Sequence, residues 1–360
     1  MTTTTTIDKV TNVQELSHAH YGKWDEFVEK HSKSNMYQLV GWKEVLEKTF
    51  GFHSNYLMAT NNEDEIVGIF PIFFMTDILG RKYLISNPFS NFSGLCTNNS
   101  DVAYKLLERA FEIAKTHDVQ YLEIRQLENG IDFNGTDLKF HTKNSFVTLM
   151  LPLDNGSEYI WKALSSRNRG KIRKAEKNGL VCDLNIAYLD DFYDIWTRNL
   201  RRLGTPIYPH DFFENIIREF PERVNILVLK KETKVVAAMF LFKFKHYMSE
   251  PWVASLTEYN KMYVNNLLYW KSIEYACNKN FKTFDFGRST VDSGTFNFKT
   301  QWGATAIQLY YQYLLYKADS VPQVDAHNNK YQAMIDIWKK LPLSLTKFLG
   351  PRIVRKLPEL

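Results

Sequence analysis

Cysteine is nearly absent. Cys96, Cys182 and Cys277 lie scattered along 360 residues, with no CxxC pair and no other zinc-ligand spacing. A disulfide framework and a cysteine-held metal are thereby excluded, and the three thiols fit buried positions in a reducing compartment. The nine histidines form no HxxxH pair, so no metal is expected. No apolar run is long enough to cross a bilayer; the run Ile66–Met75 falls well short and contains Pro71. The opening MTTTTTI lacks a basic start followed by an apolar stretch, so no secretory signal is expected, and this polar segment is expected to fray. Charge of one sign is not in excess either: 45 basic against 40 acidic residues leaves +5, which does not demand a nucleic-acid partner. A Ser–His–Asp order and a pair of catalytic carboxylates are also missing.

The chain is 44% hydrophobic and 15% aromatic, the composition of a globular protein large enough for two cores. Two stretches echo each other. Glu65–Phe70 and Lys234–Met239 each lead into an apolar strand, and Pro88-Phe89 is echoed by Pro251-Trp252. The amphipathic segment Tyr104–Thr116 is matched by Leu267–Lys279, and the strands that follow are Tyr121–Ile124 and Thr283–Phe286. The offset is nearly constant, which predicts a duplicated α/β unit with a mixed sheet flanked by helices. The cluster Leu151–Gly156 marks the boundary. The expected domains are 1–152 and 153–317, with a basic, apolar tail over 318–360.

The stretch Asp285–Ala304, DFGRSTVDSGTFNFKTQWGA, concentrates cations, hydroxyls and glycines between apolar anchors. Phe296 and Phe298 alternate with Asn297 and Lys299, the period of a half-buried strand. Such a loop suits backbone and cationic groups approaching an anionic or carbonyl-bearing ligand. Lys299 and Arg288 are the candidate cations, the first to polarise a carbonyl, the second to hold a carboxylate or phosphate in a fork. Structural pairing with Asp285 or Asp292 is the alternative. Ser289 and Ser293 are candidate donors to ligand oxygens, or else turn-closing hydroxyls. Trp302 closes the stretch.

This run, GRST…SGTF.FK..WGA, together with Asn265–Trp270 (NNLLYW), resembles the Fem-type transferases. The likeness is greatest to the FemAB-related proteins encoded with exosortase/PEP-CTERM exopolysaccharide systems. The similarity extends over Arg167–Leu180 (RNRGKIRKAEKNGL), Leu203–Pro209 (LGTPIYP) and the tail Trp338–Pro358. It implies two tandem acetyltransferase-like (GNAT) domains and acyl or aminoacyl transfer to an amine. The acceptor it implies is a cell-envelope or exopolysaccharide precursor, such as an amino sugar on a lipid-linked polysaccharide.

Acyl transfer to an amine requires a neutral amine held against an activated carbonyl, and fixed charges or dipoles for the oxyanion. A base can take the amine proton. Glu250, in the run MSEPW beside Trp252, is the candidate base, since a carboxylate against aromatic surface has a raised pKa; a solvent-facing strand end is the alternative. The related proteins carry a similar Glu-Pro-Trp run here. Asn265 and Asn266 are read as opening the helix ending near Lys279, an anion-binding or merely capped start. The preceding residues, 256–264, contain no glycine, unlike the pyrophosphate loop of CoA-dependent enzymes of this fold. The donor therefore stays open between acyl-CoA and aminoacyl-tRNA, and no tightly bound cofactor is expected.

A single helix over Ser157–Asn178 is predicted, with Arg169, Arg173 and Lys177 on one i, i+4 row. Seven basic residues and one acid fall between Lys162 and Lys177, a surface for tRNA phosphates, a sugar diphosphate or an anionic membrane, or a solvated face. Gln38 and Trp42 resemble the N-terminal Gln-x-x-x-Trp run of Fem-type enzymes, which places Trp42 at an acceptor cleft; a packing Trp is the alternative. Tyr208 and His210 are expected in a loop over the second-domain cleft, with His210 the one candidate base that ordinarily titrates near neutrality. The tail 335–357 sets Trp338, Leu341, Phe348 and Ile353 against Lys339, Lys340, Lys347 and Arg352, either an interfacial anchor or a segment packed on the body. The expected protein is a cytoplasmic acyltransferase, peripheral to the membrane if the tail docks. A CoA-dependent N-acetyltransferase acting on a small metabolite is the first alternative. A non-catalytic scaffold for polysaccharide assembly is the second.

Overall fold

The computed structural model describes residues 12–127, 140–322 and 329–358. It divides into two compact units. One comprises Met1–Asn144, Leu309–Gln323 and Arg355–Leu360; the other comprises Ser145–Gln308 and Val324–Val354.

The first unit contains β1 (Asn12–Glu15), α1 (Tyr21–Lys30), α2 (Val40–Phe50), β2 (His53–Thr60), β3 (Ile66–Thr76), β4 (Lys82–Ile85), α3 (Ser100–His117), β5 (Tyr121–Leu127) and β6 (Phe140–Lys143). Its strands run in the order β1-β2-β3-β4-β5, followed by Leu309–Leu315, against which β6 also pairs. Only β4 and β5 are parallel, the pair joined by α3. Asn99 caps α3 through the amides of Asp101 and Val102, and Asp118 ends it in the left-handed region. Between these stops Val102, Leu106, Ala110, Ile113 and Ala114 form one apolar stripe, buried against Leu57, Phe70, Leu84 and Leu122 of the sheet. Each such Leu or Phe removed from water stabilises the unit by roughly 1.5–3 kcal/mol.

The second unit contains β7 (Phe146–Pro152), α4 (Gly156–Ala163), α5 (Ser166–Lys177), β8 (Leu180–Leu184), α6 (Leu189–Leu203), α7 (His210–Glu219), β9 (Val224–Lys231), β10 (Lys234–Phe244), β11 (Tyr247–Ser255), α8 (Val264–Asn278), β12 (Thr283–Thr290) and α9 (Gly294–Thr300). The last strand, β13 (Thr305–Leu315), gives Thr305–Gln308 to this unit, and α10 (Asn329–Lys340) and α11 (Leu343–Val354) complete it. The strand order is β8-β9-β10-β11-β12-β7, then Thr305–Gln308. Again one pair is parallel, β11 with β12, joined by α8. Hairpin, strand, helix and parallel strand thus recur in the same order in both units, the duplication that the sequence echoes predict. Residues of α8 (Leu267, Leu268, Ile273) pack with Phe284 and Phe286 in one core. On β10 and β11, Phe240, Phe242 and Trp252 pack with Phe212 and Phe213 of α7.

Three expectations are corrected here. The units part at Asn144/Ser145 and not at 152, because β7 pairs with β12 from Phe146 to Pro152. The helix predicted over 157–178 is two helices, broken where Leu164 turns extended and Ser165 caps the second through the amide of Asn168. Phe296–Lys299 is helical, because Ser293 caps α9 through the amide of Phe296.

The tail packs on the body of the second unit. Trp338 Nε1 donates to the Thr205 carbonyl at 3.1 Å, and Arg201 Nε donates to the Leu341 carbonyl at 2.5 Å. A Cβ at Gly350 would lie 2.6 Å from the carbonyl oxygen of Ile207 and 2.7 Å from its nitrogen. Backbone cannot yield as a side chain can, so Gly350→Ala is expected to destabilise by about 1–3 kcal/mol, measured as a lower midpoint in chemical denaturation.

Candidate active site

Two backbone irregularities shape a candidate site in the second unit. On β11, Phe240 pairs with Trp252 but Phe242 pairs with Ser249, so Glu250 and Pro251 together oppose Leu241. Pro251 has no amide hydrogen to give the ladder, and the bulge turns the strand's alternation over. Met248 and Glu250 therefore face α8, while Trp252 faces α7. On β12, Asp285 pairs with Met150 and Arg288 with Thr148, leaving Phe286 and Gly287 opposite Leu149. Gly287 sits at φ 69°, which a β-carbon would disfavour. Both irregularities aim polar atoms toward Lys299 of α9.

Lys299 is 8% exposed, and its Nζ donates to the carbonyls of Gly287 at 3.0 Å and Arg288 at 3.2 Å. An ammonium has three N–H donors, so one remains for a further acceptor. Burial pushes its pKa down, opposed by the charges of Glu250 and Asp285 and assisted by that of Arg288. Glu250 is 3% exposed and accepts from Tyr269 Oη at 2.8 Å. Burial raises its pKa to about 8, with Lys299 and the Tyr269 hydrogen bond acting in the opposite direction. Asp285, also buried, accepts from Thr148 Oγ1 at 2.5 Å and from the Gly287 amide at 2.9 Å; burial raises its pKa as well. Tyr269 stacks on Phe286 and meets Phe298 edge-on at 5.1 Å, so a tightly packed aromatic wall holds its hydroxyl on Glu250. The arrangement is one cation and two carboxyls in a water-poor pocket, each held by fixed partners. It can stabilise a developing oxyanion and exchange a proton at neutral to mildly alkaline pH.

The remaining sequence candidates fall into place around this cluster or away from it. Arg288 lends its carbonyl to Lys299, and its guanidinium lies 4.7 Å from the ring centroid of Phe146. Ser289 is buried on β12, and among the described residues neither its hydroxyl nor the buried Trp302 Nε1 has a hydrogen-bond partner. Ser293 is engaged as the cap of α9. Asn266 is buried inside α8 and does not cap it; Tyr263, at φ 59°, occupies the cap position. Trp252 belongs to the aromatic cluster on the α7 face, which Tyr208 joins through Phe212 at 5.5 Å. His210 begins α7 with Nε2 2.9 Å from Asp190 and Nδ1 3.3 Å from Glu214, a helix-start clamp.

Three readings are corrected. Trp42 has no exposed surface (0%), and Gln38 spends its amide on the Asn35 amide and the Gly94 carbonyl. Both are framework of the first unit and offer no surface to a ligand. Arg169 does not project with Arg173, because its guanidinium donates to the C-terminal carbonyls of α4, at 3.0 Å for Lys162 and 3.3 Å for Trp161. Arg173 is exposed and stacks on Trp161.

Sequence reasoning missed Tyr269 and gave Asp285 only the role of a structural partner. Tyr269 is three residues after Asn266 in the run Asn265–Trp270, and a tyrosine within an apolar helix has an aromatic body that reads as core. Among the described residues no group of His, Cys, Asp or Glu could hold a metal. The segment before α8 lacks glycine and has two of its amides already engaged, which leaves less backbone for a pyrophosphate. Residues Thr257–Met262 form a 3-10 turn whose Tyr259 and Tyr263 amides are spent on the carbonyls of Leu256 and Asn260.

Residues 164–300 match the family model described as an acetyltransferase (GNAT) domain. The lipid II:glycine glycyltransferase of Staphylococcus haemolyticus is 25% identical over 236 residues, 59% of this chain and 54% of its own length. The chain thus spans about half the length of this curated relative. The crystal structure of FemX superposes with a TM-score of 0.64 at 16% identity, over 85% of this chain and 98% of that one. A tandem GNAT protein from the clavulanic acid biosynthesis pathway superposes with a TM-score of 0.52 at 10% identity, over 86% and 99%. The chain thus carries a GNAT-type domain over 164–300, and it is similar in sequence to a Fem-type glycyltransferase and in fold to FemX and a tandem GNAT protein.

Proposed function

We propose that this protein transfers an aminoacyl group from a charged tRNA to an amine of a cell-envelope precursor. The observation that carries the proposal is the buried Lys299–Glu250 pair, each partner shifted toward its neutral form. The amine nitrogen attacks the carbonyl of the donor ester. A C–N bond forms, the ester C–O bond breaks, and the amine proton passes to the Glu250 carboxylate, which returns it to the leaving ribose oxygen of the tRNA. The third N–H of Lys299 meets the oxyanion, and Tyr269 keeps Glu250 in place. The name of the glycyltransferase relative supports an envelope acceptor. A polysaccharide precursor bearing an amino sugar is the acceptor this reading favours. The site of action is the cytoplasmic side of the envelope, where charged tRNA is made.

The engaged amides of Tyr259 and Tyr263 and the absence of glycine over 256–264 favour aminoacyl-tRNA over acyl-CoA as donor. The test is twofold: calorimetric titration with CoA and acetyl-CoA, and transfer of label from charged tRNA to an amino-sugar acceptor. The expected outcome is label transfer without saturable CoA binding. Micromolar CoA binding that Lys299→Ala abolishes would replace this reading with an acyl-CoA enzyme acting on a small amine. Neither activity in folded protein would leave the scaffold reading.

A further inference from the structure

We propose that the outer face of α10 and α11 docks the protein on an anionic lipid bilayer. The proposal stands on a different face of the second unit and does not depend on the donor or acceptor assigned above. Both helices pack on α6. α10 is anchored by Trp338 on the Thr205 carbonyl, and α11 by the buried row Thr346, Gly350 and Val354. The opposite faces are turned to solvent and carry large apolar side chains among their polar ones. Met334 is 67% exposed, Ile337 61% and Phe348 59%, with Leu345 beside them on the outward side of α11. Large apolar side chains at this exposure are ordinary when scattered, but here they recur at helical spacing on two adjoining helices, Met334 with Ile337 and Leu345 with Phe348.

The charge on the same segment identifies the occupant. Lys339, Lys340, Lys347 and Arg352 are four basic residues on the two helices with no acid between them, Lys347 facing Asp194 of α6 at 3.5 Å. Lys339 and Lys340 are exposed at the end of α10, with Asp336 the acid facing Lys339 at 3.9 Å. Arg352 is exposed on α11, its guanidinium 4.0 Å from the centroid of Phe348. Apolar side chains flanked by lysine and arginine are what the headgroup boundary of an anionic membrane accepts, the rings and chains entering the acyl region and the cations meeting phosphate. A second copy of this chain would set cations against cations. An acidic protein partner would need a groove to seat in, whereas these side chains protrude from convex helices, a shape that suits a deformable surface. Pro342 separates the helices, so each lies on the surface as a short piece and neither spans it. Among the described residues no helix is long and apolar enough to cross a membrane.

The test is flotation of the full chain with vesicles of phosphatidylcholine alone and of phosphatidylcholine with phosphatidylglycerol, at low and high salt. The expected result is partition to the anionic vesicles only, weakened by salt. Lys339→Glu combined with Lys340→Glu and Arg352→Glu is expected to lower partition by about tenfold or more. Ile337→Ser with Phe348→Ser is expected to lower it similarly while leaving the thermal midpoint unchanged, since both side chains are already exposed. Absence of flotation with anionic vesicles, or flotation that these variants leave intact, overturns the proposal. So does concentration-dependent dimerisation that Phe348→Ser abolishes in the absence of lipid, which would assign the face to a second copy.

Discussion

Replacing Lys299 with Met is expected to lower transfer by about 10²–10³-fold while leaving the protein folded, because a preorganised donor to an oxyanion contributes on that scale. Methionine keeps the length and the apolar stem, so α9 continues to pack on β12. The substitution removes one positive charge from a pocket holding Glu250 and Asp285. Burial already raises the pKa of both carboxyls, and losing the ammonium pushes each further that way. The pocket can therefore neutralise itself by taking up protons and need not open. Lys299→Arg is expected to rescue little. A planar guanidinium has no room where Nζ lies 3.0 Å from Gly287 O and 3.2 Å from Arg288 O. Single-turnover transfer with donor binding measured separately checks this: binding persists and the transfer rate falls.

Glu250→Gln is expected to change how stability depends on pH. Burial pushes the folded carboxyl's pKa up to about 8, against 4.5 for an unhindered glutamate. Between those values the folded protein holds a proton that the unfolded chain has released. The contribution of Glu250 to stability is accordingly full below 4.5 and is lost as pH rises toward 8. Lys299 works in the opposite sense, since its folded pKa is lowered and its unfolded form stays charged to higher pH. Glutamine keeps the hydrogen bond from Tyr269 and carries no proton to lose. The variant is therefore expected to gain on the wild type with rising pH, by on the order of 1–3 kcal/mol at pH 8. Chemical denaturation at pH 5, 6.5 and 8 measures the difference. A constant difference across that range would show that Glu250 titrates as an ordinary exposed carboxyl.

Much of this architecture is legible in the sequence, for physical reasons that also set the limit. The echo of Tyr104–Thr116 in Leu267–Lys279 is visible because each helix buries apolar side chains against its own sheet, α3 along one stripe and α8 on nearly all sides, since α4 and α5 also cover it. Lys299 and Glu250 stand out because charge is rare between aromatic anchors. The helix α9 was hidden because Phe296-Asn297-Phe298-Lys299 also satisfies a two-residue period. Only the i, i+4 pair Phe298 and Trp302, both packed near Tyr269, and the Ser293 cap betray the helix. Trp42 and Gln38 read as a ligand surface because a Trp beside a glutamine looks the same whether it lines a cleft or closes a core. Arg169 read as part of a basic row because a row presumes an unbroken helix, and its role at the end of α4 exists only because the chain breaks at Leu164. Tyr269 was invisible for a related reason: its hydroxyl matters only through Glu250, which the bulge at Pro251 on β11 turns toward α8.

The central claim is that the buried pair in the second unit carries out transfer. The measurement that tests it most directly is the pH profile of single-turnover transfer, with saturating charged tRNA, for the wild type and Lys299→Met. The account predicts a wild-type rate that climbs with pH through about 8, as Glu250 becomes the carboxylate that accepts the amine proton, and a variant rate at least about a hundredfold lower at every pH. A folded Lys299→Met protein that transfers at the wild-type rate would place the chemistry elsewhere in the chain.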